Sequence, residues 1–346
     1  MRKIAILGFG TVGTGAVESF YYHKDLIEKR AGETDIKYIL DIRDFPESPY
    51  KDKVIHDFSL IENDPEIAVA AELMGGTNPA LDFTKRLLKK GISVVTSNKE
   101  LVARHGAELI SLAKANGCSY LFEASTGGAI PIIRTLGDSL SANVIYKIQG
   151  ILNGTTNFIL TKMLEEQMTF SDALKLAQDL GYAEKDPTDD ISGADSARKI
   201  CILASLAFGK HIKPEWVRTV GIDRVTKEDM AYAESIGAKI KLVAVASKEP
   251  DSEKIFITVE PHLVCNNHQL SVVSDVFNAV MVDASSAGRL MFYGRGAGKL
   301  PTASAVLTDV CAALTADGSL NNDVWEDCEE DIIIKTDGQE GLPILE

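Results

Sequence analysis

The sequence predicts an α/β protein, a doubly wound parallel sheet joined to a second, mixed α/β lobe. Three observations carry this prediction. Short β-type runs alternate with helical stretches from Lys3 to Phe122, a glycine cluster closes the first run, and beyond about Pro131 the rhythm shifts to longer helices and β-like runs. At 346 residues the chain also exceeds a comfortable single core, so two substantial lobes with a cleft between them are expected.

Lys3–Leu7 is a short β-type run, and Gly8-Phe9-Gly10-Thr11-Val12-Gly13 follows at once, after which Thr14 to about Lys29 reads as helix. Ile36–Leu40 is a second strand that ends in Asp41-Ile42-Arg43-Asp44, and the polar, proline-containing stretch Phe45–Tyr50 carries the chain away. Ala68–Leu73 is a third strand, running into Met74-Gly75-Gly76-Thr77-Asn78-Pro79. Pro79–Lys90 is helical, and Gly91–Val95 leads into Thr96-Ser97-Asn98-Lys99. Leu101–Asn116 is another helix and Ser119–Phe122 another strand, ending at Glu123. In the second lobe, Phe170–Leu180 and Ala194–Phe208 read as helices, and Lys239–Ala246, Ile255–Val259 and Leu270–Val273 as β-like runs. The acidic, helix-poor segment Asn321–Glu346 is expected at the surface.

Composition excludes several function classes. With 45% hydrophobic and 25% charged residues the chain is neither disordered nor fibrous. A formal net charge of −14 repels polyanions, so no nucleic-acid partner is expected, and an anionic cofactor needs local compensation. No apolar run approaches the ~20 residues of a bilayer span. Cys118, Cys201, Cys265, Cys311 and Cys328 lie far apart without metal-ligand spacing, as reduced cytosolic thiols do. A strand at the very start leaves no room for a targeting segment, and a cytoplasmic protein is expected.

Gly8, Gly10 and Gly13 match GxGxxG in its required setting between a strand and a helix, the signature of a Rossmann-type dinucleotide site. One glycine makes the tight turn, one lets the backbone approach pyrophosphate, and one packs helix on strand. Phe9, Thr11 and Val12 supply the remaining backbone of the turn, whose N–H groups meet the phosphates. The end of the second strand offers both signs of charge: Asp41 suits a ribose 2′-hydroxyl and Arg43 a 2′-phosphate. NADP is slightly favoured over NAD. Gly75, Gly76 and Ser97 follow later strand ends, where α/β folds bind ligands.

The segment Gly181–Lys199 crowds five carboxylates, Glu184, Asp186, Asp189, Asp190 and Asp195, into a short loop and helix. Asp195 and Lys199 stand at i and i+4 and share a face. An exposed ion pair is the ordinary reading of that spacing. Here the helix continues Ile200-Cys201-Ile202-Leu203-Ala204, too apolar for an exposed rod, so its polar start should face a cleft where a lysine is a usable proton donor or acceptor. Lys99 stands at a strand end, although isolated lysines are more often surface decoration.

With these blocks in place, the chain resembles the catalytic core of homoserine dehydrogenases. The resemblance rests on GFGTVG at Gly8–Gly13, TSNKELVA at Thr96–Ala103, FEASTGGAIPII at Phe122–Ile133, GILNGTTNFIL at Gly150–Leu160, Gly181–Lys199, and GRGAGKLPTASAV at Gly294–Val306. It implies that Lys199 exchanges a proton with the substrate oxygen and that Lys99 binds and polarises that oxygen beside the cofactor. Glu184 and Asp195 would hold the ammonium and hydroxyl ends of the substrate, with Asp190 in the same network. Gly181 would border the substrate and, with Gly298, the cofactor. The resemblance further implies a structural sodium ion at Glu123 with carbonyls of Thr126, Gly128 and Ile130, where the plain alternative is a glycine turn. It implies a homodimer, with residues 1–132 and 299–346 as the dinucleotide domain and 133–298 as the substrate and dimerisation domain. The chain stops soon after its last helix, so no separate regulatory domain and weak or absent threonine inhibition are expected.

Overall fold

In the computed structural model, which describes residues 2–321, 325–335 and 341–346, the first apolar run forms β1 (Arg2–Leu7), with Ile4, Ala5, Ile6 and Leu7 all buried. Burial on both faces is what a central parallel strand requires, and it accounts for the lack of polar alternation. Then come α1 (Thr11–Tyr22), α2 (Lys24–Ala31), β2 (Thr34–Leu40), β3 (Val54–Ile55), α3 (Ser59–Glu62) and β4 (Ile67–Glu72). The alternation continues with α4 (Ala80–Lys89), β5 (Ser93–Thr96), α5 (Lys99–Ala115) and β6 (Tyr120–Leu121). Every pairing in this sheet is parallel, in the order β3-β2-β1-β4-β5-β6. Winding therefore reverses between β1 and β4, and that switch point at the strands' carboxyl ends is where such sheets bind ligands.

The second lobe begins with β7 (Ile145–Ile151), α6 (Gly154–Glu165), α7 (Phe170–Asp179), α8 (Thr188–Ile191) and α9 (Ala194–Phe208). It continues with β8 (Arg218–Thr219), α10 (Lys227–Ser235), β9 (Ala238–Lys248), β10 (Ile255–Cys265), β11 (Phe277–Ala284) and β12 (Gly288–Arg295). After α11 (Lys299–Thr315) the described chain ends on β13 (Ile344–Leu345). The second sheet has the order β12-β11-β7-β9-β10-β13, with β8 also on β10. It is mixed: β8 and β13 run parallel to β10, and the other pairs are antiparallel. β9 and β10 pair without a slip from Ala238↔Cys265 to Lys248↔Ile255, the backbone of this sheet.

The chain divides into Met1–Ile133 with Ala297–Glu326, and Arg134–Gly296 with Asp327–Glu346. In the first unit α11 lies against α1, and Val306, Val310 and Leu314 join Ile4, Val17, Phe20 and Ile36 in one core. Gly15 permits this approach, because a Cβ there would stand 2.8 Å from the carbonyl oxygen of Lys299.

Four expectations need correction. The single helix from Thr14 to Lys29 is two, divided at His23, whose ψ of 21° is not helical. Leu270–Val273 is not a strand but part of a 3₁₀ turn, Gln269–Val272. Local bonds win there: His268 Nδ1 accepts from the Leu270 amide at 3.1 Å, and the Ser271 hydroxyl donates to the Asn266 carbonyl at 3.0 Å. Residues 327–346, expected with the dinucleotide domain, group with the second unit, because Ile344 and Leu345 pair with Leu263 and Val264 and Ile333 bridges Ile255. Nor is the tail all surface. Trp325 is buried against Gly106, where a Cβ would meet its ring at 2.3 Å, and Ile333 is buried too. Residues 322–324 and 336–340 of that expected surface tail lie outside the described residues.

Candidate active site

In the first unit the glycine turn leaves β1 through Gly8, at φ +97°, where a Cβ would stand 2.9 Å from the Leu73 carbonyl at the end of β4. Gly13 sits so close beneath that its Cβ would lie 2.0 Å from the Gly8 oxygen. Gly10 differs: among the described residues, its own chain neighbours aside, nothing lies within 4 Å of its missing Cβ. The turn is thus closed where helix packs on strand and open where a ligand would approach. Gly10 is the N-cap of α1, and among the described residues no side chain caps that helix, so the amides of its first turn are available to phosphate oxygens. These residues fit a dinucleotide.

Phe9 is buried, and its amide donates to Asp41 Oδ2 at 2.8 Å. Arg43 clasps the same carboxylate with Nε and an Nη, both at 3.0 Å, and its guanidinium stands over the Phe45 ring. Burial would raise the Asp41 pKa, but the bonds from the Arg43 side chain and the Phe9 and Arg43 amides outweigh it and hold the carboxyl at about 2. Asp41 therefore already accepts on both oxygens, while Arg43 remains mostly exposed. Thr11 is exposed and Val12 half-buried at the start of α1.

Gly75 and Gly76 lie exposed in the loop after β4, and Ser97 and Lys99 are half-buried in the turn after β5. Asn98 joins the two loops, its Nδ2 donating to the Gly76 carbonyl at 2.7 Å while its Oδ1 caps α5 at Leu101 N. Lys99 is the first residue of that helix. Gly298, at φ +119°, is the N-cap of α11. A cavity of about 750 Å³ between α1, α2 and α11, lined by Tyr22, Leu26, Leu300 and Cys311 among others, includes none of these residues.

The glycine-rich loop after β6 places Glu123 inside the protein, with Oε1 accepting from the Ile133 amide at 2.9 Å. Among the described residues the buried Thr126 hydroxyl has no hydrogen-bond partner, and Gly127 and Gly128 have φ of +79° and +55°. No cluster of three or more acidic, His or Cys side chains could hold a metal among the described residues. Any ion here would depend on the one carboxylate plus carbonyls such as those of Thr126, Gly128 and Ile130, a donor set that suits a hard, weakly held cation.

In the second unit the GILNGTTNFIL block has a mechanical explanation. A Cβ on Gly150 would meet the Ala279 oxygen at 2.5 Å, and one on Gly154 the Val276 oxygen at 2.8 Å, so both glycines let β11 and the segment before it lie close. Between them, β7 ends and Asn153 caps α6, its Oδ1 accepting from Thr156 N at 2.8 Å. The two Nδ2 hydrogens go to carboxylates, Asp190 Oδ1 at 2.7 Å and Asp195 Oδ2 at 2.8 Å. Lys199 Nζ lies 2.8 Å from the same Asp195 oxygen and donates to the Leu152 carbonyl at 2.7 Å. A lysine has three N–H donors. Two are thus engaged, and among the described residues the third has no partner.

α9 can start here because Gly193, at φ +85°, admits the approach of Thr219 and Val259, which a Cβ would meet at 2.9 and 3.2 Å. Its continuation from Ile200 to Ala204 is fully buried, as the apolar run predicted, and Asp195 and Lys199 are buried with it. Desolvation raises the Asp190 pKa, aided by the negative charge of Asp195 and opposed by Asn153, Thr155 and Lys199. Glu184 stays outside this network: it is exposed, and among the described residues its carboxylate is unengaged. Gly181, also exposed, ends α7 with φ +75°. Sequence reasoning missed Asn153 and the Leu152 carbonyl, although an Asn directly before Gly-Thr-Thr carries an N-cap signal.

A family model described as "Homoserine dehydrogenase" matches residues 131–311, and one described as "Homoserine dehydrogenase, NAD binding domain" matches residues 8–123. A homoserine dehydrogenase of Bacillus subtilis is 41% identical over 317 residues, covering 90% of this chain and 72% of that protein. The crystal structure of a homoserine dehydrogenase from Thiobacillus denitrificans superposes with a TM-score of 0.86 at 35% identity, covering 99% of this chain and 79% of that one. A hyperthermophilic archaeal homoserine dehydrogenase in complex with NADPH has a TM-score of 0.75 at 30% identity, covering 90% of this chain and 97% of that one.

Proposed function

The chain belongs to the homoserine dehydrogenase family, and from that premise we propose how its own residues carry the reversible, NAD(P)-linked reduction of L-aspartate 4-semialdehyde to L-homoserine. The observation that carries the mechanism is the third N–H of Lys199. With Asp195 and the Leu152 carbonyl fixing the other two, the ammonium is aimed, and its remaining hydrogen, unpartnered among the described residues, can meet a substrate oxygen. When bound, the nicotinamide supplies or accepts the hydride at C4. In reduction Lys199 gives its proton to the oxygen on which negative charge develops, and in oxidation the neutral amine takes the hydroxyl proton back. Asp195 stabilises the ammonium form, and Asn153, donating to both Asp195 and Asp190, bridges and orients them.

Lys99 is assigned as a second cation at that oxygen. The unengaged carboxylate of Glu184 is assigned to the substrate ammonium, with Asp190 and Asp195 completing the polar pocket and Gly181 bordering it. Gly8 to Gly13, Gly75, Gly76, Ser97, Lys99 and Gly298 are assigned to the dinucleotide. NADP is favoured over NAD, because Asp41 spends both oxygens on Phe9 and Arg43 while Arg43 remains exposed to a 2′-phosphate. The orphaned Thr126 hydroxyl beside buried Glu123 supports a sodium ion there, in a structural role. A homodimer and a cytoplasmic location complete the proposal, the latter supported by five unpaired thiols. No helix of the described residues is long and apolar enough to cross a membrane.

The test is turnover of NADPH and NADH with L-aspartate 4-semialdehyde, with the reverse reaction on L-homoserine. Robust turnover that falls ~10²–10⁴-fold in Lys199→Ala, the range of a general acid–base group, supports the mechanism. A Lys199→Ala protein that reacts at the wild-type rate refutes it.

A further inference from the structure

Glu72 is the last residue of β4, and in the parallel register it stands opposite Thr96, the last residue of β5. Its side chain is wholly buried, and among the described residues no cation is bonded to it. Oε1 accepts from the Met74 amide at 2.9 Å, in the loop that carries Gly75 and Gly76. Oε2 accepts from the Thr96 hydroxyl at 2.7 Å. The Thr96 oxygen in turn accepts from the Asn98 amide at 2.9 Å, and Asn98 Nδ2 returns to the Gly76 carbonyl at 2.7 Å. The hydrogen bonds thus close a ring through both strand-end loops. Asn98 also caps the helix whose first residue is Lys99.

Burial of a carboxyl in this setting is expensive unless it is hydrogen-bonded, and a plain core position would be filled by an apolar side chain. Desolvation lifts its pKa to about 7 against the pull of the Thr96, Met74 and Asn98 bonds. The buried Tyr120 hydroxyl on β6 is the titratable group that feels its charge.

We infer that Glu72 is a positioning residue for the reaction: it ties the Met74–Gly76 loop to the Thr96–Lys99 turn and so sets the stance of Gly75, Gly76, Ser97 and Lys99. The inference rests on the assignment of those residues to cofactor and substrate. In its ionised form Glu72 accepts from the amide on one loop and the hydroxyl on the other at once. An amide in its place keeps the shape but replaces one of these two acceptors by an N–H₂ donor at every pH.

The experiment compares Glu72→Gln, Thr96→Val, Thr96→Ser and the Glu72→Gln/Thr96→Val double variant by kcat, by dinucleotide affinity in the absence of substrate, and by thermal unfolding. Glu72→Gln and Thr96→Val each lower kcat by about 10- to 100-fold, the scale of a misplaced reacting group, and weaken dinucleotide binding as well, because the released loops carry Gly75, Gly76 and Ser97. Thr96→Ser keeps the hydroxyl and stays near wild type, and the double variant loses no more than either single one. Should Glu72→Gln fail to fold, the Val and Ser variants at Thr96 still decide. Wild-type kcat in folded Glu72→Gln or Thr96→Val, or independent additive losses, overturns the inference. Lys99→Ala separates the two layers. A loss there with none in Glu72→Gln overturns the positioning role alone, and wild-type turnover in Lys99→Ala overturns the assignment beneath it.

Discussion

Lys199 and Asp195, one helical turn apart on α9, meet Nζ to Oδ2 at 2.8 Å with side chains only 8% and 5% exposed. A pair so deep is retained against its desolvation cost only when the remaining donors and acceptors are satisfied. Leu152 and Asn153 supply partners to this pair, and among the described residues one lysine hydrogen has none and is left for chemistry.

Asn153 has two separable tasks, capping α6 and bridging two carboxylates. Asn153→Ser keeps a capping oxygen but loses the bridge, so it should unfold near the wild-type temperature with kcat reduced by roughly 10-fold. Asn153→Ala loses the cap as well and should cost a further ~1 kcal/mol of stability. Equal kcat in Ser and wild type would show that the bridge is idle.

The glycines of the turn should fail differently. Gly13→Ala places a methyl group 2.0 Å from the Gly8 oxygen and should destabilise the whole first unit. Gly10→Ala, whose methyl group meets nothing within 4 Å among the described residues beyond its chain neighbours, should fold normally yet bind dinucleotide weakly. Thermal unfolding beside a dinucleotide titration distinguishes the two, and a Gly10→Ala protein with full affinity would contradict the open-face reading.

Cofactor choice should follow Arg43. Arg43→Ala is expected to raise the KM for NADPH by roughly 10-fold, about the 1.5 kcal/mol of one charge-assisted hydrogen bond, and to leave NADH untouched. Equal changes for both cofactors would place Arg43 outside the ribose site.

Much of this was legible in the sequence because backbone mechanics leave a compositional trace. Strand, glycine turn and helix could be read at β1 and α1, since only glycine tolerates φ near +97° at Gly8 or the contact at Gly13. The apolar run after Lys199 announced a buried helix, and α9 has the predicted limits, Ala194–Phe208. What escaped depends on partners distant in the chain. Trp325 reads as tail until Gly106 gives it a seat, and β13 is too short to announce itself without β10. Leu270 and Val273 look strand-like, but their spacing also suits one turn that buries both, and His268 decides for the turn. Glu72 carries no sequence signal, because its meaning lies in the register that sets it opposite Thr96.

Stability should also report on Glu72. Its folded-state pKa is raised from 4.5 to about 7, so the folded chain holds a proton that the unfolded chain releases. That favourable linkage is complete below the unfolded value and is lost as pH rises through about 7. Glu72→Gln cannot titrate, so its deficit against wild type in denaturant unfolding should shrink from about pH 5 to about pH 8. A deficit independent of pH would mean that Glu72 is ionised throughout.

The most direct measurement is single-turnover reduction of L-aspartate 4-semialdehyde by Lys199→Met, a substitution close in length that removes the ammonium, with dinucleotide affinity determined on the same preparation. Affinity unchanged and a rate lower by ~10²–10⁴-fold is the predicted result. A wild-type rate would place the proton donor on another group and contradict the assignment of Lys199.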